Sequence, residues 1–253
     1  MRYLVLFILL ASLFNVSAKK SLKGMGVILP SAFKDNGKGR EQIVLDYLLK
    51  DCLQTEYTIE NYPYGRHIND FPTSSFDFVT TVPDSEKLVN YKSLPYIKYM
   101  NGVSTKSSLR ISSLKDLKGK RVISFSGAKE LIPELRDSHK TFATYIEKSK
   151  QDIHTKMLLA DRVDAVISDA IVFHSHTYKL LKNKEVSYSP LSFHHILNET
   201  EFVLYFKKKE LRDRFNICVK EMMSSGKSER FKYEFYVNEL FNSLESLTVS
   251  TKL

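Results

Sequence analysis

The sequence predicts an α/β protein built as two successive units, each a mainly parallel sheet flanked by helices. Short apolar runs of strand length alternate with longer segments of helical periodicity through about the first 80 residues. The same alternation restarts near residue 114, after a loop. At 253 residues the chain is ample for one or two domains.

The N-terminus reads as an export signal. Arg2 supplies a positive charge, Tyr3 to Phe14 is an unbroken apolar run, and Val16-Ser17-Ala18 offers the small residues at which a signal peptidase cuts. The run is shorter than the roughly 20 residues a spanning helix requires. The alternative is a buried N-terminal helix, against which Lys19-Lys20 argue by following at once. Residues 1–18 are therefore expected to be removed after Ala18, leaving a free periplasmic protein. No cysteine stands at the cleavage point to carry a lipid.

The elements then follow in order. Lys23 to Leu29 predicts a first strand stopped by Pro30, and Glu41 to Leu53 a helix with Ile43, Val44, Tyr47, Leu48 and Cys52 on its apolar side. Tyr57 to Tyr62 and Phe76 to Val79 complete a βαβαβ rhythm. In the second unit Arg121 to Phe125 and Val163 to Ile167 read as buried strands. Helices are expected at Lys129 to Arg136, Thr141 to Ile146, Thr155 to Leu159, and from Asp169 through Tyr178. Glu201 to Phe206 is a further strand, and Glu210 to Met223 an amphipathic helix ended by Gly226. Arg230 to Leu240 predicts the last helix.

The net charge of +9 leaves nucleic acid, an anionic membrane or an acidic ligand open in principle. The basic residues are interspersed with acids, and the densest run, Lys207 to Lys209, reads as a solvated turn, so no nucleic-acid partner is expected. Cys52 and Cys218 have no metal-binding spacing. Export permits a disulfide between them, and two small buried thiols in helical patterns are the alternative. His174 with His176, and His194 with His195, lack ligand spacing, so no metal site is expected. No nucleophile elbow and no phosphate loop is present, and neither a catalytic residue nor a cofactor is assigned.

Several phrases, taken in order, resemble the type II periplasmic solute-binding proteins, the family that contains the polar amino-acid receptors of ABC transporters. Ser113 to Val122 (SLKDLKGKRV) is similar to the phrase that opens that family's second lobe, and Ala160 to Asp169 (ADRVDAVISD) to a later strand of it. Ser93-Leu94-Pro95-Tyr96, Tyr62 to Arg66 followed by Asp77, and Phe202 to Phe215 resemble first-lobe segments. The resemblance runs from about residue 23 to about residue 236. It implies a two-lobed periplasmic-binding-protein-like type II fold. Residues 19–103 with 204–253 would form lobe one, and 104–203 lobe two. A two-segment hinge would lie near Gly102-Val103 and Phe202-Val203. It further implies a monomer that captures a small polar solute, an amino acid or another small anion, and delivers it to the membrane permease of an ABC transporter. A ligand-sensing module for a membrane receptor, or a dehydratase-like enzyme on the same scaffold, are the alternatives.

In open α/β sheets ligands bind beyond the carboxyl ends of the strands. That rule nominates Phe33, Tyr64, Arg66, Thr80, Thr81, Ser126, Gly127 and Asp169. Backbone N–H groups around Ser126, Gly127 and Ala128 would hold an anion, and Asp169 would pair with a ligand amino group. Each has a plainer role open to it. Thr80 and Thr81 would cap a helix, Gly127 would serve a turn, Asp169 would be an N-cap, Tyr64 would pack at a rim, and Arg66 would pair with Asp70 on the surface. One departure stands out. Amino-acid receptors of the family carry an arginine shortly after the third strand that grips the α-carboxylate in a two-pronged bond. Here Ser85-Glu86-Lys87-Leu88 occupies that stretch with Leu88 at the arginine position, and Lys87 lacks the planar fork.

Overall fold

The computed structural model describes residues 21–29, 32–33 and 39–235. The predicted export signal and the end of the last predicted helix lie outside them. In chain order the first part contains β1 (Leu22–Val27), α1 (Arg40–Leu45), β2 (Tyr57–Tyr62), α2 (Arg66–Asp70), β3 (Phe78–Pro83), β4 (Tyr91–Lys92) and β5 (Ile97–Tyr99). The middle contains β6 (Asn101–Lys106), β7 (Arg121–Ser124), α3 (Ala128–Leu131), α4 (Leu135–Ser138), β8 (Thr144–Glu147), α5 (Asp152–Leu159), β9 (Ala165–Asp169), α6 (Ala170–Lys182) and β10 (Leu191–His194). Finally β11 (Thr200–Phe206) and α7 (Lys209–Ser224) follow.

These strands form two sheets. The first has the order β2-β1-β3-β11-β4, with β5 also paired to β11, and the second β10-β6-β9-β7-β8. In the first, β1 runs parallel to β2 and β3 while β11 returns antiparallel; in the second, β7 runs parallel to β8 and β9 while β6 and β10 are antiparallel. Each sheet is thus parallel at its βαβ core and antiparallel along the side reached by a return strand. Glycine in β1 lets its neighbours close over it: a Cβ on Gly24 would stand 2.4 Å from the Phe78 ring.

Burial explains the layers. Leu45, Leu48 and Leu49 below α1 meet Phe206 of β11 and Phe215 and Met222 of α7 on one face of the first sheet. Met25, Ile68, Phe71, Val79 and Val203 fill the other face. The second sheet has its own two clusters, around Val122 and Ile167 on one face and Ile123 and Val166 on the other, as alternation along a strand requires. A disulfide joins Cys52 to Cys218 across the first cluster, with a sequence separation of 166 residues. Loop-closure entropy makes so long a bridge worth about 5 kcal/mol. The chain passes between the sheets at Met100 and again at residues 195–199, and the Asn101 side-chain amide donates to Thr200 Oγ1 (2.8 Å) where the two passages meet.

Several element assignments change. Thr141 to Ile146 is not a helix: Thr144–Glu147 is the parallel edge strand β8, where its β-branched and aromatic side chains pair along β7. The expected helix around Pro133 splits into α3 and α4, because proline cannot supply the amide that would join them. The helix over 41–53 runs as α1 and then as a π-helix over Asp46–Cys52. The third strand runs on from Val79 to Pro83, which draws Thr80 and Thr81 into the strand instead of leaving them after its end. Beyond α7, Gly226 takes a left-handed φ of +71°, and residues 227–235 are helical. Among the described residues no helix is long and apolar enough to cross a membrane.

Candidate functional site

A cavity of about 370 Å³ opens between the carboxyl ends of the two sheets. The first sheet contributes Val27 to Leu29 after β1, Pro63 and Tyr64 after β2, and Thr81 of β3. The second contributes Phe125 and Ser126 after β7, Ser149 to Gln151 after β8, and Asp169 at the end of β9. Tyr99, Asn101 and Phe202 close it where the chain crosses between sheets. Most of the lining is apolar. Among the described lining residues only Lys150 and Asp169 carry charge.

Asp169 is nearly fully buried. Its Oδ1 caps α6 by accepting from the backbone N–H groups of Ile171 (2.8 Å) and Val172 (3.1 Å), and Oδ2 accepts from Met100 N–H (2.8 Å). Arg40, also buried, brings Nη1 to 3.6 Å from the same Oδ2. Burial pushes the Asp169 carboxyl above its ordinary range, and Arg40 opposes that push. Arg40 stacks at 4.7 Å over the Tyr99 ring and donates to the Lys98 carbonyl. Its Nη1 forms no hydrogen bond with the described residues.

A second carboxylate sits one layer behind the wall. Glu41 is wholly buried. Its Oε2 accepts from the hydroxyls of Thr80 (2.8 Å), Thr81 (2.7 Å) and Tyr96, and its Oε1 from Tyr99 (2.5 Å). Burial, reinforced by the nearby Glu41 charge, raises the ionisation of Tyr96 and Tyr99 well above the usual phenol range, so both stay donors. This cluster holds Thr81 at φ +58°, a strained conformation for a β-branched residue. The β3–β11 register shifts beside it, between Val203 and Tyr205.

In lobe two the loop after β7 turns through Gly127 at φ +83°, with Tyr64 of the first lobe 3.4 Å from where a Cβ would be. Two amides here are already claimed by the protein itself: Glu147 accepts from Gly127 N–H (2.8 Å) and Lys129 N–H (3.0 Å). A Tyr145 hydroxyl steadies the same carboxylate at 2.7 Å.

No protein-family model matches the chain. A curated relative, the arginine-binding extracellular protein ArtP of Bacillus subtilis (strain 168), is 27% identical over 194 residues, 73% of this chain and 72% of that protein. An ancestral arginine-binding protein bound to arginine superposes with a TM-score of 0.63 at 21% identity, over 85% of this chain and 98% of that one. The GluR0 ligand-binding core in complex with L-glutamate superposes with a TM-score of 0.67 at 17% identity, over 86% and 99%. The chain has the type II solute-binding protein fold. The family resemblance carried by its sequence phrases holds, and its two sheets are the two lobes of that fold.

Within this solute-binding fold the structure brings Tyr64, Thr81, Ser126 and Asp169 together around the cavity. Thr80 turns inward to Glu41, and Phe33 packs half-buried against the core of the first lobe. Arg66 faces solvent and pairs with Asp70 at 3.1 Å, away from the lining. Gly127 stands beside the mouth with its amide committed to Glu147. Leu88 packs against the Met25 and Phe71 cluster, so that stretch brings no cation to the cavity. Arg40, Glu41, Glu147 and Lys150 were not among the nominated residues. Arg40 and Glu41 precede an apolar helical run, where charged residues read as a solvated first turn. Asp169 was legible because a carboxylate between strand and helix has a local geometric role.

Proposed function

We propose that this chain is an exported receptor that captures a small solute in the cleft between its lobes and hands it to a membrane transporter. The observation that carries the reading is the cavity itself, which strand ends of both lobes line together. Lobe one would comprise residues 19–103 with 204–253 and lobe two 104–203. Closure would turn on the two passages tied by Asn101 and Thr200. Tyr64, Thr81, Ser126 and Asp169 are the residues we assign to the solute's surroundings. Export is supported by the Cys52–Cys218 disulfide, which suits an oxidising compartment, and by the N-terminal apolar run. The curated relative's name, an arginine-binding extracellular protein, supports capture of an amino-acid-sized solute.

Mass spectrometry of small molecules released from the purified protein by denaturation tests this reading. One compound in near-stoichiometric amount is expected, and adding it back at a hundred times its dissociation constant should stabilise the protein by about 2.7 kcal/mol. Repeated release of nothing, with no thermal shift across a broad metabolite panel, would remove the receptor reading. The likeness to the GluR0 ligand-binding core favours a second reading, a ligand sensor. Co-purification with a permease favours delivery, and co-purification with a membrane receptor favours sensing.

A further inference from the structure

Both charged groups of an α-amino acid would meet sites in this cleft that the protein already occupies with its own charges. An ammonium would seek Asp169, the one acid among the described lining residues. Three backbone N–H groups take both oxygens of that carboxylate, and Arg40 lies 3.6 Å from Oδ2. A carboxylate would seek the amides at the turn after β7, where Glu147 accepts from Gly127 and Lys129. An ammonium within hydrogen-bond distance of Asp169 Oδ2 would also stand close to the buried guanidinium. Like charges at about 5 Å in a partly screened site weaken binding on the order of 100-fold.

Arg40 neutralises Asp169 in a buried pair, whereas Lys150, the other charge on the described lining, forms an exposed, solvent-screened ion pair with Asp152 Oδ2 at 3.8 Å and keeps its ammonium available to a solute. Around it the wall is largely apolar, with Phe125, Leu131, Val172 and Phe202 among its members.

We propose that Arg40 sets the ligand class of the cleft: by pairing with Asp169 it excludes ammonium groups, so the solute is a small monocarboxylate with an apolar body rather than a cationic or zwitterionic amino acid. This rests on the receptor reading and narrows it. The apolar body fills the wall between the lobes, and the carboxylate meets Lys150 at the lobe-two rim. Arg40 acts as a positioning residue, one layer behind the surface the solute touches.

Titration calorimetry with compounds of nearly one shape tests the assignment: 4-methylpentanoate, L-leucine and 3-methylbutylamine, with L-arginine as the cationic amino acid. The wild-type protein, freed of carried-over ligand by denaturation and refolding, should bind 4-methylpentanoate about 10-fold or more tighter than leucine. It should bind it about 100-fold tighter than the amine. Arg40→Gln should narrow the carboxylate-to-amine ratio by about 10-fold or more, a selectivity change that a merely structural role would not produce. Should Arg40→Gln fail to fold, the wild-type series alone decides. Tighter binding of L-arginine or the amine than of the carboxylate overturns the proposal and leaves the receptor reading intact, as does release of an ammonium-bearing molecule from purified protein. Failure of all four compounds to bind also overturns it, and the receptor reading then stands or falls on whether denaturation releases any molecule.

Discussion

Glu41 and Asp169 are both buried carboxylates beside the cavity, one in each lobe, and different kinds of donor hold them. Asp169 is held by backbone: two N–H groups that the start of α6 presents by construction and a third from Met100 at the passage between the sheets, with Arg40 for charge balance. Glu41 is held by side chains: four hydroxyls from β3, β5 and the segment before β5, none of them charged. Backbone amides cannot reverse their roles, whereas a hydroxyl both donates and accepts and rotates to suit its partner. The lobe-two carboxylate therefore depends on its charge, and the lobe-one carboxylate on its shape and acceptor count.

The pair Asp169→Asn and Glu41→Gln separates those two dependences. Asp169→Asn keeps an oxygen for capping α6 but leaves Arg40 buried without its counter-charge, and it should cost about 3 kcal/mol. Glu41→Gln keeps volume and one oxygen, and the surrounding hydroxyls can turn to accept from the new amide, so about 1 kcal/mol is expected. Urea unfolding followed by circular dichroism measures both. Equal costs would break the contrast drawn here, and a larger cost for Glu41→Gln would reverse it.

A buried histidine in each lobe sharpens the comparison through pH. His67 in lobe one approaches the Thr81 carbonyl at 3.4 Å, and His154 in lobe two the Lys148 carbonyl at 3.2 Å. Burial lowers each to about 4 from 6.5. Below pH 6.5 the unfolded chain takes up protons that the folded chain refuses, so stability is full above that pH and falls as pH drops towards 4. Each histidine should withdraw roughly 2 kcal/mol between pH 7 and pH 5. His174 and His176, also lowered by burial, keep their own contribution. Of the slope that His67 and His154 supply together, His67→Gln and His154→Gln should each remove about half in unfolding midpoints measured across the range. If one variant removes all of it and the other none, the two lobes do not share the burden.

Legibility follows the same division between local and distant causes. Strand β2 matches its expected bounds, Tyr57 to Tyr62, because alternation and flanking loops are properties of neighbouring residues. Thr144 to Glu147 was misread because a short run with Tyr and Ile suits helix or edge strand alike, and its pairing with β7 decides. At the site, Ser126 and Asp169 were legible as residues at strand ends. Arg40 was not, since its partner lies 129 positions away at Asp169. Nor was the occupation of the turn after β7: Glu147 reaches it only because β8 lies parallel beside β7. The Cys52–Cys218 bridge stood open for the same reason, as two helical segments far apart in sequence had first to be packed together.

The smallest expected effect belongs to Arg66, nominated for the cleft by its place after the second strand. Its Nε lies 3.1 Å from Asp70 Oδ2 one turn along α2, with side-chain exposures of 65% and 51%. Exposed pairs at that spacing contribute a few tenths of a kcal/mol, because solvent screens them and both side chains keep their freedom. The guanidinium lies 5.9 Å from the centre of the Tyr62 ring, on the β2 side and outside the cavity lining. Arg66→Ala should thus lower stability by under about 0.5 kcal/mol. Affinity for the co-purified solute should change by less than about twofold, and the carboxylate-to-amine ratio that Arg40→Gln narrows should stay as in the wild type. A tenfold loss of affinity in Arg66→Ala, measured by calorimetry, would return the anion-binding role to the surface of lobe one and take it from Lys150.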